Sequence, residues 1–249
     1  MQPRSMNGTL SAGAAEIRVY SSGAPRVALK RFAPEFEQAT GHRLALTFDG
    51  VAPLRQRLAS GEKADVILLP APLMAAMDQA GALRPKSRTA LARVGIGVVV
   101  RRGAALPDIS KPESVRSSLL GARSIAYSDP KLAPSGVHLE RALAQLGIAE
   151  AVRSKTTLRT PFDGGVELIA NGDVEMGMFL VSEILMAKGV TLAGLLPTEL
   201  QSYLVFAGAV AVDSASHQPA LAFLRFLSDP TRANHWRAAG FEPASGMSG

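Results

Sequence analysis

The chain has 249 residues, of which 47% are hydrophobic, and it carries no cysteine and a formal net charge of +6 at pH 7. This composition can fill a sizeable core, so it excludes disorder of the whole chain, a disulfide scaffold, a cysteine nucleophile and a thiolate metal site. The basic residues are scattered and only 5% of residues are aromatic, which argues against a nucleic-acid-binding surface.

The first 15 residues are polar and rich in Gly and Ser. They contain no apolar stretch like that of a signal peptide, so we expect 1–15 to be a disordered tail without an intact signal peptide. Elsewhere, no apolar run approaches the roughly 20 residues that a transmembrane helix needs. We therefore expect the folded part of the chain to begin near residue 16.

The first third of the chain alternates short strands with helices. Strands are predicted over 16–20, 43–48 and 65–69, and the last is a continuous apolar run typical of a strand buried on both faces. Turns containing Gly, Ser and Pro separate these strands from two amphipathic helices. The resulting β-α-β-α-β order predicts an open parallel sheet, and a second apolar run predicts one further strand over 94–100.

The same pattern begins again after residue 107. Strands are predicted over 124–127, 156–159 and 176–180, and a last strand over 204–212 precedes two terminal helices. We therefore predict an α/β protein in which the chain crosses twice between two lobes, with a cleft between them. The expected division is 16–94 with 208–249 as lobe 1, and 95–207 as lobe 2.

Four segments share one design, in which a strand ends, a turn of small residues follows and a helix begins: 21–24, 49–52, 133–136 and 162–165. A helix N-terminus has unpaired N–H groups and a partial positive charge, so it attracts anions. We expect these turns to converge on one anion in the cleft; the alternative is that they are ordinary turns with the same residue types. The candidate binding residues in these turns are Ser21, Ser22, Ala24, Gly50, Val51, Ser135, Gly136 and Gly164.

Three arginines lie next to these turns. Arg26 and Arg55 fall in the first turns of two predicted helices, where the helix dipole disfavours a positive charge, and Arg159 precedes the fourth turn. A guanidinium group in such a place can bind a carboxylate through two hydrogen bonds. The alternative is that all three are solvated surface residues.

The usual catalytic and cofactor motifs are missing from the sequence. The four histidines lack the spacing of metal ligands, and Gly95-Ile96-Gly97 fails the dinucleotide fingerprint because position 100 is Val. No pair of carboxylates is placed for acid–base work, because the candidates stand where turns and helix caps use them. We therefore expect a binding protein without a metal, a cofactor or a catalytic centre.

Several short segments follow one another in a characteristic order: 19–24, 32–37, 60–66, 129–136, 171–177 and 222–230. Together they resemble the periplasmic molybdate-binding proteins of ABC transporters, over nearly the whole chain from residue 16. The resemblance implies a two-lobed type II periplasmic-binding-protein fold, with two mixed or parallel sheets, flanking helices and a double-crossover hinge. It also implies a periplasmic monomer that closes on a small anionic ligand and delivers it to an ABC permease.

The chain departs from that family at the ligand. In the family, two serine hydroxyls and one tyrosine hydroxyl help to hold the oxyanion, and their places fall here on Ala24, Val51 and Leu180. Each lost hydrogen bond to a charged group costs about 1.5–3 kcal/mol. Backbone donors remain at Ser135 and Gly164. We therefore predict a small organic di- or tricarboxylate as the ligand, instead of molybdate.

Two alternatives stay open. One is a molybdate- or tungstate-binding protein that relies mainly on backbone donors. The other is an enzyme on the same fold, although the porphobilinogen deaminases that resemble this architecture need a cysteine, which this chain lacks.

Overall fold

The computed structural model describes residues 13–159 and 164–243. Its strands are β1 Glu16–Ser22, β2 Arg43–Asp49, β3 Val66–Pro70, β4 Thr89–Val94, β5 Ile96–Arg101, β6 Ile125–Ser128, β7 Thr156–Arg159, β8 Met176–Leu180, β9 Val190–Leu195, β10 Leu204–Val210 and β11 Glu242–Pro243. Its helices are α1 Arg26–Thr40, α2 Val51–Ala59, α3 Ala71–Gln79, α4 Pro112–Gly121, α5 Pro134–Gln145, α6 Ala149–Arg153, α7 Gly165–Asn171, α8 Val181–Ile184, α9 His217–Ser228 and α10 Ala233–Ala238. None of the helices in the described ranges is both long and apolar enough to cross a bilayer.

The strands form two sheets, as the two-lobe prediction requires. The first sheet has the order β11-β4-β10-β3-β1-β2, and the second has the order β7-β6-β8-β5-β9. Strand β1 is parallel to β2 and β3, and β6 is parallel to β7 and β8. The strands that enter and leave the second lobe run antiparallel to their neighbours, so both sheets are mixed.

The chain crosses between the sheets twice. Strand β4 ends in the first sheet at Val94 and β5 begins in the second at Ile96, so the single strand predicted over 94–100 is in fact two strands separated at Gly95. The return crossing ends before Leu204, because β10 pairs along its whole length with strands of the first sheet. The predicted boundary between 207 and 208 therefore falls inside β10.

Gln201 links the two crossings. Its side-chain oxygen accepts a hydrogen bond from the Ile96 N–H at 2.9 Å, and its Nε2 donates to the Ile96 carbonyl at 2.9 Å. A Cβ at Gly95 would lie 3.2 Å from Gln201 Nε2, so a larger residue there would crowd this contact. The Gln201 amide thus ties together the two connections by which the chain crosses between the sheets.

The core of the first lobe explains helix α1 and the terminal helices. Leu29, Phe32 and Phe36 recur at helical spacing on α1 and are completely buried. They pack with Phe223 and Trp236, whose rings lie 4.9 Å from Phe36 and 5.3 Å from Phe32 between centroids. The last two helices of the chain therefore pack against helix α1.

Most of the predicted tail, residues 1–12, lies outside the described residues. At its end, the Ala15 N–H donates to His42 Nδ1 at 3.1 Å, and the Ala15 carbonyl accepts from the Arg43 N–H at 2.9 Å. Residue 15 is therefore anchored to the start of β2.

Strand β9 was not predicted from the sequence, and it pairs antiparallel with β5 at one edge of the second sheet.

A buried carboxylate, Asp65, joins β1 to the segment after β10, at the end of the sheet opposite the strand–helix turns of β1 and β3. It is 1% exposed and accepts hydrogen bonds from the Arg18 N–H at 2.9 Å, Arg18 Nε at 3.2 Å and Ser214 Oγ at 2.8 Å. Burial alone would raise the pKa of Asp65, but these hydrogen bonds outweigh it and lower that pKa below its ordinary value. Asp65 is an ionised, fully partnered structural group.

Candidate functional site

A cavity of about 320 Å³ lies between the two sheets, where the carboxyl ends of their parallel strands face each other. Its walls come from both lobes. The first lobe supplies Ser22, Gly23, Ala24, Asp49, Gly50, Val51, Ala52, Pro53, Pro70, Leu204 and Phe206. The second lobe supplies Leu132, Ala133, Pro134, Ser135, Leu180 and Glu183. Carbon atoms dominate these walls, so the cavity suits a ligand with a hydrocarbon portion.

Two helices of ordinary length begin at the cavity, one from each lobe. Helix α2 follows an extended Gly50, and helix α5 follows an extended Ala133 with Pro134 as its first residue. The first N–H groups of a helix have no partner inside the helix, so those of Val51, Ala52 and Ser135 are donors available at the cavity wall. The two helix dipoles add partial positive charge from opposite sides.

Gly136 allows α5 to begin close to the end of β6. A Cβ at this position would lie 2.1 Å from the Ser128 carbonyl oxygen and 2.7 Å from the Pro130 nitrogen. Any side chain would therefore push the helix start away from the strand. Gly136 does not line the cavity, and its role is to position Ser135.

Ser22 lines the cavity and carries a buried hydroxyl group. It is 6% exposed, and its Oγ has no hydrogen-bond partner among the described residues. The neighbouring Ser21 points elsewhere, because its Oγ donates to the Ser22 carbonyl at 2.9 Å. A buried hydroxyl without a partner is costly, so Ser22 is suited to bond a ligand.

Glu183 is the buried acidic group of the cavity wall. It is 7% exposed, and its Oε2 has no hydrogen-bond partner among the described residues. Burial raises the pKa of the Glu183 carboxyl to about 8, and a hydrogen bond from the Leu180 backbone acts in the opposite direction. The group is therefore mostly protonated at neutral pH. Asp49, which also lines the cavity, accepts from the Gly50 N–H at 2.7 Å and lies 3.9 Å from Arg57.

Six of the residues predicted from the sequence lie on the cavity wall: Ser22, Ala24, Gly50, Val51, Ser135 and Leu180. The three positions that lack the hydroxyl groups of the molybdate-binding family are among them, and all three are aliphatic. The structure thus brings together residues from the first three predicted turns and from the end of β8.

The three arginines lie outside this wall. The Arg26 guanidinium is 5.3 Å from the centre of the Phe48 ring, and Arg55 and Arg159 are exposed. Arg159 ends β7 and takes part in its backbone pairing with β6. In the described part of the chain, positive charge at the cavity therefore comes from helix ends and not from these guanidinium groups.

The fourth predicted turn is only partly described, because residues 160–163 lie outside the described ranges. Gly164 caps helix α7 in the left-handed conformation with a φ of 71°, which favours glycine. It does not contribute to the described wall of the cavity. No group of three His, Asp or Glu side chains within 13–159 and 164–243 is placed to hold a metal ion.

Glu183, Asp49, Leu204 and Phe206 belong to the wall but were not among the predicted site residues. Glu183 had a signal in the sequence, since it is a single acid inside the apolar run 176–186 that starts with a buried strand. Leu204 and Phe206 had none, because they reach the cavity only through the return crossing of the chain.

The cleft geometry and the mixed sheets can be compared with known proteins. Residues 17–242 match the model of a family described as bacterial extracellular solute-binding protein. The chain belongs to this family. It is 29% identical over 233 residues to an aconitate isomerase from a Pseudomonas species, a match that covers 91% of this chain and 87% of that protein.

Molybdate-binding proteins are also similar to this solute-binding protein. The molybdate-binding protein ModA of Azotobacter vinelandii is 24% identical over 175 residues, which cover 70% of this chain and 68% of that protein. The solved structure of an Azotobacter vinelandii periplasmic molybdate-binding protein aligns with a TM-score of 0.74 at 20% identity, over 90% of this chain and 98% of that chain. The structural match establishes the two-lobed periplasmic-binding-protein fold.

Proposed function

We propose that this solute-binding protein captures a small organic di- or tricarboxylate in the cleft. The observation that carries this proposal is the wall of the cavity. Helix N-termini and one unpartnered hydroxyl supply donors for carboxylate oxygens, and aliphatic and proline side chains supply the remaining surface. A compact inorganic oxyanion needs donors on all sides, whereas a carboxylate with a carbon skeleton also needs apolar contact.

Three aliphatic residues of the cavity wall favour an organic acid over molybdate as the ligand. Ala24, Val51 and Leu180 stand on the wall where the resembling family has hydroxyl groups. A dehydrated oxyanion facing them loses up to three charge-assisted hydrogen bonds, each worth about 1.5–3 kcal/mol. Their alkyl groups instead offer contact to the carbon atoms of an organic acid.

The comparison with the Pseudomonas protein supports the same ligand class. That relative is named for isomerising aconitate, an unsaturated tricarboxylate, and its match covers more of this chain at higher identity than the match to ModA. By family resemblance we further propose that the protein acts as a monomer in the periplasm and delivers its ligand to an ABC permease. Loss of radiolabelled ligand uptake in cells that lack this protein would test the delivery step.

The ligand class is tested by thermal unfolding of the dialysed protein. The panel contains molybdate, tungstate, sulfate, succinate, citrate, cis-aconitate and trans-aconitate at equal millimolar concentration. A ligand that binds only the folded state raises the melting temperature by mass action, and we expect this from at least one carboxylate and from none of the inorganic anions. A shift with molybdate or tungstate alone would overturn the proposal.

A triple variant tests whether the three wall positions decide between carboxylate and molybdate. The triple substitution Ala24→Ser, Val51→Ser and Leu180→Tyr restores hydroxyl groups at the three wall positions. We expect it to weaken carboxylate binding measured by calorimetry and to strengthen molybdate binding. The exposed substitution Glu199→Gln, remote from the wall, serves as the control and should leave both affinities unchanged.

A further inference from the structure

Glu183 differs from the other polar groups of the cavity wall because it is a carboxyl group that is both buried and left with an unpartnered oxygen in the described part of the chain. It is the third residue of the short helix α8, directly after β8. The hydrogen bond from the Leu180 backbone accounts for one carboxyl oxygen, whereas Oε2 has no partner among the described residues. Capping of the start of α8 therefore accounts for one oxygen of this carboxyl group and gives no role to the other.

No charged group compensates Glu183 in the described part of the chain. Strands β5, β8 and β9 pack against α8, and their one titratable side chain is Arg101, at the end of β5 far from Leu180. Across the cavity the titratable group is Asp49, which is already bonded to the Gly50 N–H. Because a buried, half-partnered carboxyl is costly to fold, its position on a ligand-sized cavity points to a role toward the ligand.

We propose that Glu183 is an acid–base residue that moves a proton within an unsaturated carboxylate bound in the cavity, so that the protein isomerises this ligand as well as binding it. This inference rests on the carboxylate site proposed above. It goes further, because binding alone requires no group that exchanges protons with carbon.

The step balances without any co-reactant. Ionised Glu183 takes a proton from the carbon next to the double bond, and the C–H electron pair becomes the new double bond. The electrons of the old double bond move into the conjugated carboxylate, which carries the negative charge. The protonated Glu183 then returns the proton to the far carbon of the old double bond. The electron pair that joined this carbon to the carboxyl carbon as a second bond forms the new C–H bond, and an oxygen lone pair restores the carboxylate. Proton count and oxidation state are unchanged.

The helix ends supply the electrostatics of that step. Negative charge accumulates on the carboxylate while the proton is on Glu183, and the free N–H groups of Val51, Ala52 and Ser135 are preorganised around the cavity. The apolar wall favours a carboxyl group that passes between charged and neutral forms near neutral pH, and the pKa of about 8 agrees with this role.

The experiment uses the whole protein with trans-aconitate in D₂O, followed by proton NMR, and calorimetry measures binding of the same compound. We expect the wild type to form the cis isomer, or to exchange deuterium into the methylene group. Glu183→Gln keeps the shape of the side chain but cannot transfer the proton. We expect it to bind within threefold of the wild type and to react at least 100-fold more slowly. Glu199→Gln, on the exposed surface, should react like the wild type.

The outcomes separate the two proposals. Binding by the wild type without isomerisation or exchange would overturn the role of Glu183 and leave the carboxylate site standing. Equal rates for the wild type and Glu183→Gln would also overturn it. Absence of any carboxylate binding would overturn both. As an independent readout, kcat/KM of the wild type should rise with pH toward about 8, since the ionised carboxylate starts the reaction.

Discussion

Two buried carboxyl groups, Asp65 in the first lobe and Glu183 in the second, differ in their hydrogen bonding, and their pKa values are shifted in opposite directions. Asp65 receives three hydrogen bonds from Arg18 and Ser214, and its pKa is lowered. Glu183 lines the cavity and has one oxygen without a partner among the described residues, and burial raises its pKa to about 8. Burial alone therefore does not identify a functional acid.

The difference lies in what surrounds each group. Asp65 lies where a neighbouring strand and a loop supply hydrogen-bond donors, so its carboxylate is fully hydrogen-bonded once the chain has folded. Glu183 lies at the carboxyl end of β8, at the cleft, where strands of both lobes leave room for a ligand. A buried carboxyl group whose hydrogen bonds are not all satisfied by the folded chain is available to bond a ligand.

The largest expected effect is at Asp65. Asp65→Ala leaves the donors of Arg18 and Ser214 unpaired, so we expect the free energy of unfolding to fall by about 3 kcal/mol. Urea denaturation measures this change, with Asp78→Ala as a control that removes a half-exposed carboxylate. Because the folded pKa of Asp65 is lowered, its contribution is present above its ordinary value near pH 4 and is lost as the pH falls further. A loss below 1 kcal/mol would contradict the structural role.

The second effect is at Glu183 and has the opposite sign. Its folded pKa of about 8 exceeds its ordinary value of 4.5, so the wild type loses stability as the pH rises between these values. Glu183→Gln removes this loss, so relative to the wild type the variant should gain about 2.5 kcal/mol between pH 5 and pH 7. Urea denaturation at both values measures the difference. Parallel pH profiles for the two proteins would show that Glu183 is not a neutral buried acid.

The third effect concerns the two adjacent serines. Ser22→Ala removes the unpartnered hydroxyl of a residue that lines the cavity, and we expect about a tenfold loss of carboxylate affinity, or roughly 1.4 kcal/mol, by calorimetry. Ser21→Ala removes a hydroxyl that donates to the Ser22 carbonyl, so it should leave the affinity within about threefold. Equal losses in the two variants would remove Ser22 from the binding site.

The smallest effect is expected at Arg55. Its side chain is exposed and does not line the cavity, so Arg55→Ala should change carboxylate affinity less than about twofold. The measurement is again calorimetry at physiological ionic strength. A loss of fivefold or more would place Arg55 in the site, as its position near a helix start first indicated.

Much of the fold followed from local patterns in the sequence. The buried runs at β3 and β8, the small-residue turns and the apolar spacing of α1 each predict an element from neighbouring residues alone. The order of these elements predicts parallel strands, whose carboxyl ends share one edge, and so places Ser22, Val51 and Ser135 near a common cleft. The missing hydroxyl groups at Ala24, Val51 and Leu180 were likewise visible from the sequence.

The tertiary structure decided what no local pattern contains. Gly95 divides one apolar run between two sheets, because strand pairing depends on partners distant in the chain. Long-range contacts also supply the hydrogen-bond donors of Asp65 and leave Glu183 Oε2 without a partner among the described residues. They place Arg55 outside the wall of the cavity. The sequence by itself determined most of the strands and helices and three turns that line the cleft. Only the packing of the two lobes decided which polar groups are satisfied, because a hydrogen bond requires a partner that the fold must bring within about 3 Å.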